Sequence, residues 1–130
     1  MTKIAPADAL ALAKRFKTAA LALGQFQLDH WETLAPRQRQ ALTDKEYALL
    51  DASQNLITGA VGVLLDETQT ALADIQQATA KANQALQTVK DIKQALAIAT
   101  AFVTLGIAVC AGNPGGLATA VGGLLAVAET

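Results

Sequence analysis

His30 is the only histidine and Cys110 the only cysteine in the 130 residues, so a metal site built on paired imidazoles is excluded within one chain. A Cys-His nucleophile would need these two residues to meet, and nothing in their sequence contexts brings them together. His30, in LDHWETL, falls near the end of a predicted helix, where a capping or partly exposed role is expected. Cys110 lies in an apolar run, where a thiol packs as a small hydrophobe. Ser53 is the sole serine and no Gly-x-Ser-x-Gly turn surrounds it. Asp66 and Glu67 are adjacent, and neighbours on a helix point about 100° apart, so they cannot share a proton or a metal and read as a solvated face. The glycines of GNPGG and VGGLL follow no strand and precede no Lys-Ser/Thr, which fits neither a phosphate loop nor a dinucleotide fingerprint. No catalytic, cofactor-binding or metal site is therefore expected, and the chain reads as a non-enzyme.

Composition bounds the remaining choices. One folding unit is expected at this length. Hydrophobic residues make up 52% but aromatics only 4%, so the apolar mass is mostly Ala, Leu and Val and the helices that carry it must approach closely. The net charge is −1 and no basic face is evident, which argues against a nucleic-acid partner. Asp8, Lys14, Arg15 and Lys17 interrupt the opening apolar stretch, so no signal-peptide core is recognised. A cytoplasmic location is the default expectation, with membrane association or export without a cleaved signal left open.

The elements that would position any site are helical, since no segment shows sustained period-two alternation. A first amphipathic helix is predicted over 6–34, opened by Pro6 and striped by Leu12, Phe16, Ala19, Leu23 and Phe26. A short helix follows at 36–42. Thr43 with Glu46 three residues later forms a capping-box signature for the next helix. From there a three-four spacing of apolar positions runs for seven heptads to Leu96, which predicts one long helix over 44–111, with Gly59 and Gly62 marking a bend near 59–62. Val61, Leu65, Leu72, Ile75, Leu86 and Val89 are the expected buried seam. Unbroken, Asp44 to Leu96 would extend roughly 80 Å, which points to an elongated bundle. The glutamine-rich opposite face of this helix, with Asp74 and Lys81 its only charges between Leu72 and Thr88, is a mildly polar surface or a second contact face.

AGNPGG then reverses the chain, and a short apolar helix is predicted over 117–128. No charged residue occurs between Lys93 and Glu129, so 95–128 forms an apolar helical hairpin in which Phe102, Leu105, Val109, Leu117, Val121 and Leu124 are the candidate contact residues. Small residues recur at intervals of four, as at Ala97 and Ala101 and at Ala118, Gly122 and Ala126, which lets helix backbones touch. A long heptad-patterned helix leading into an apolar hairpin is similar in outline to the membrane-inserting part of α-helical pore-forming toxins. Two functions follow. One is a membrane-active or self-assembling helical protein that uses the hairpin; the other is a soluble structural or adaptor module in which the hairpin is an oligomer core. The implied partners are further copies of the chain, another helical protein or a lipid bilayer.

Overall fold

Pro6 opens helix α1 (Pro6–Asp29), where its fixed φ and missing N–H cost nothing, after Ala5 in an extended conformation (φ −65°, ψ 149°). The computed structural model describes residues 2–3, 5–58, 64–65, 72–111 and 114–129. α1 ends at Asp29 rather than at residue 34, because His30 closes it: the imidazole stacks on Phe26 (4.2 Å between centroids) and Nδ1 donates to the Phe26 carbonyl (3.0 Å). Trp31–Thr33 form one tight 3-10 turn, and the Thr33 hydroxyl donates to the His30 carbonyl (2.9 Å).

Helix α2 (Pro36–Ile57) is continuous, so the predicted short helix at 36–42 and the start at residue 44 are one element. Its first turn is held at Ala35, whose N–H donates to Gln38 Oε1 (2.8 Å). Thr43 is interior to the helix and does not cap it; its hydroxyl meets Gln27 Oε1 of α1 at 3.4 Å. Leu42, Leu49, Ala52 and Leu56 form the buried stripe.

In place of a single helix over 44–111, three helices occupy the described parts of that span: α2, α3 (Leu72–Thr88) and α4 (Ile92–Ala111). Between α3 and α4, Asp91 caps the new helix, its carboxylate accepting from the Lys93 N–H (3.1 Å) and its carbonyl from the Ala95 N–H (3.0 Å). Leu65 belongs to a two-residue antiparallel pairing, β1 (Thr2–Lys3) with β2 (Leu64–Leu65), and not to a helix. Residues 59–62, the expected bend, lie outside the described residues, as does Val61. Of the remaining seam, Ile75 and Leu86 are buried, while Leu72 and Val89 are half-buried against the core.

Helix α5 (Pro114–Ala128) completes the chain and starts three residues earlier than the predicted 117–128 helix. Five helices close a ring: α1 packs on α2 and α3, α2 on α4, α4 on α5, and α5 back on α3. The protein is an all-α bundle whose C-terminal hairpin supplies two of its staves. At the centre Phe16 and Phe102 meet edge to face (4.9 Å, 83°), both fully buried. Each such side chain contributes about 1.5–3 kcal/mol when taken out of water. Gly106 makes this contact possible, since a Cβ there would lie 2.6 Å from Phe16 Cε2. Two buried polar side chains grip the carbonyls of α1 from opposite sides: Ser53 donates to Ala13 (2.8 Å) and Asn83 to Arg15 (3.2 Å).

Candidate functional site

The six hairpin residues singled out in the sequence all point into the bundle. Phe102, Leu105, Val109, Leu117 and Leu124 are fully buried and Val121 is 6% exposed. They are the inner wall of the hairpin, and whatever the hairpin offers to another body lies on its other side.

That outer side carries a groove of about 920 Å³ between α4 and α5. Ala97, Thr100, Ala101 and Thr104 line it from α4, and Gly115, Gly116, Thr119 and Gly123 from α5. Lys93, at one end, is its single charged residue. Two of the hydroxyls in its walls are occupied by their own helices, Thr104 donating to the Thr100 carbonyl (2.9 Å) and Thr119 to that of Gly115 (3.2 Å). Apart from Lys93, the walls are therefore built of small, uncharged residues and are short of free hydrogen-bonding groups. The Ala97 and Ala101 spacing points to the α4 wall from sequence. Gly115, Thr119 and Gly123 repeat the same interval of four on α5, a signal present in the sequence that the large apolar residues overshadow.

Two glycines of α5 are unusual in what surrounds them. Among the described residues, a Cβ built on Gly122 or Gly123 meets no atom within 4 Å. Glycine inside a helix costs about 1 kcal/mol relative to alanine, and among the described residues no neighbour requires either residue to be small.

The residues that could do chemistry are placed otherwise. Ser53 is buried and its hydroxyl is committed to the Ala13 carbonyl. Cys110 is half-buried beside Asp51, Asn55 and Ile107 in a smaller recess of about 320 Å³ between α2 and α4. Burial pushes its thiol up, away from the thiolate that a nucleophile needs. Asp66 and Glu67 lie outside the described residues. Among the described residues no three His, Cys, Asp or Glu side chains come together as metal ligands.

No family model, characterised protein or solved structure matches this chain. Its own surface is then what carries the functional reading, and two properties of the hairpin stand out. One is the groove. The other is α4 itself, whose 20 residues are long and apolar enough to cross a bilayer, with 39% of the apolar window buried in the bundle.

Proposed function

We propose that this chain is a non-enzymatic, self-assembling helical protein whose α4–α5 groove receives a helix from another copy. The observation that carries the reading is Gly123, exposed on the groove wall with no described atom within 4 Å of where its side chain would be; its neighbour Gly122 is as open. Glycine there weakens the isolated helix and makes no close packing with the described residues of its own chain. It does permit another backbone to come close, the advantage that small residues supply at helix–helix contacts. Lack of charge from residue 94 to 128 removes the desolvation cost that a charged face would impose on such a contact.

Analytical sedimentation of the wild type and of Gly123→Glu tests this. Gly123 lines the groove and has room for a side chain, so the variant keeps its fold while placing a carboxylate in the contact. The wild type should associate as its concentration rises through the micromolar range, and Gly123→Glu should sediment as a monomer. A wild type that stays monomeric overturns the reading.

A second reading is insertion of the hairpin into a bilayer, in the manner suggested by the outline of the pore-forming toxins. It is favoured by the length of α4, about 30 Å at 1.5 Å per residue, against a hydrocarbon core of about 30 Å. Insertion would have to turn Phe102, Leu105 and Leu117 out of the core and open the ring. Leakage of dye from vesicles by a wild type that sediments as a monomer would favour insertion over assembly, and Gly123→Glu, which places a carboxylate on the inserted hairpin, should then leak less.

A further inference from the structure

Among the described residues, eight large apolar side chains are exposed, and seven of them lie on α1, α2 or the turn between them; the eighth is Ile107. Their arrangement is ordered. Leu10, Leu21 and Leu28 are separated by eleven and seven residues, close to whole turns, so they fall on one line along α1, at 46%, 65% and 69% exposure. Gly24, which shares that flank, faces Glu46 of α2, and the backbone of Ala13 receives Ser53. The α2 row through Glu46 and Ser53 continues to Leu50 and Ile57, both exposed. The two rows thus border the same α1–α2 seam on its outer side.

The exposed charges along the leucine row of α1 have one sign. Lys14 and Lys17 are exposed on the leucine row of α1. Asp8 stands on the opposite side of α1 from Leu10, two residues away, and Asp29 is engaged by Gln25 (2.8 Å). On α2, Asp51 faces the recess beside α4 instead. Glu46 is half-buried within the seam under Gly24.

We propose that this seam is a docking surface for an anionic lipid bilayer, into which Leu10, Leu21 and Leu28 insert while Lys14 and Lys17 meet the headgroups. Exposed leucines interleaved with lysines on one helix line are the composition an interfacial helix needs. Charge selects this occupant over a second copy. A two-fold contact through the seam would bring the lysines of both copies together, and the α4–α5 groove of another copy presents Lys93, of the same sign. The inference uses helices other than the hairpin and does not rest on self-assembly there.

Flotation of the full chain with phosphatidylcholine vesicles and with mixed phosphatidylcholine–phosphatidylserine vesicles is the test. Emission of Trp31, the sole tryptophan, 47% exposed in the turn that joins the two helices, gives a second readout. The wild type should float with the phosphatidylserine vesicles only, release as salt is added, and shift its emission to the blue. Lys14→Gln and Lys17→Gln should each weaken the partition about fivefold, and Leu21→Ser with Leu28→Ser should abolish it with helix content unchanged by circular dichroism. Gly123→Glu should bind as the wild type does. The proposal is overturned if the wild type floats with neither vesicle or equally with both, or if the lysine and leucine variants bind as the wild type does. It is equally overturned if Leu21→Ser with Leu28→Ser dissociates a lipid-free oligomer and leaves flotation intact, which would make a second copy the occupant.

Discussion

Gly106 and Gly123 look alike in the sequence, each in an apolar helix, yet the space around them makes opposite predictions. Alanine at 106 would set its Cβ 2.6 Å from Phe16 Cε2 and 3.0 Å from the Ala52 Cβ, both in the buried core. Overpacking of that kind costs about 1–3 kcal/mol, which outweighs the roughly 1 kcal/mol that alanine gains as a helix former. Gly106→Ala should lower the urea midpoint. Gly123→Ala meets nothing and should raise the midpoint of the dilute monomer by the equivalent of about 0.5–1 kcal/mol. Glu46 adds a pH dependence. Burial in the α1–α2 seam pushes its carboxyl above the ordinary range, so the folded state binds a proton more tightly than the unfolded chain does. Its contribution is most favourable below the unfolded value and is lost as pH rises through the raised folded value. Glu46→Gln should remove that slope, so that thermal melts show the variant gaining on the wild type from acid toward neutral pH. None of these three environments is written in local sequence, because each depends on where the other helices lie.

Helix type and the apolar stripes were legible at the scale of the element, and boundaries were legible where a backbone constraint is local. Pro6 and Pro36 mark starts that the structure retains, since a missing N–H acts wherever it occurs. The Thr43 and Glu46 pair has the spacing of a capping box, but Leu42 is fully buried and the stripe it begins at 42, 49 and 56 runs through the position, so packing against α1 keeps the helix continuous. The reverse error occurs at Asp91. There the apolar spacing from Leu86 through Val89 to Leu96 hides a break that the side chain makes by accepting from the Lys93 N–H. A stripe records which residues can be buried and is indifferent to whether one helix or two bury them. Asp91→Ala removes the cap of α4 and should cost about 1 kcal/mol, read as a lower urea midpoint, while Thr43→Ala, with no cap to lose, should cost less.

Across the whole molecule, closure of the ring changes what the apolar hairpin means. The accessible surface, 6890 Å², is close to the about 6,500 Å² of an average folded monomer of 13.4 kDa, and Phe102, Leu105, Val109, Leu117 and Leu124 of the hairpin are fully buried within one chain. The sequence showed that residues 95–128 must be shielded from water and could not show by what, because the shielding helices lie up to ninety residues away in the chain. Leu105 and Val109 are fully buried in that bundle, and Leu105→Asp or Val109→Asp would place an unpaired charge in the core and unfold the monomer whatever the hairpin does in function. The groove residues separate the two effects. If copies associate through the α4–α5 groove, association stabilises the folded state by mass action, and the melting temperature of the wild type should rise with protein concentration. Gly123→Glu should melt at a temperature independent of concentration, matching the wild type at high dilution. A melting temperature of the wild type that does not move across the micromolar range would mean that the groove is empty in solution, and that the exposed glycines serve a body other than a second copy.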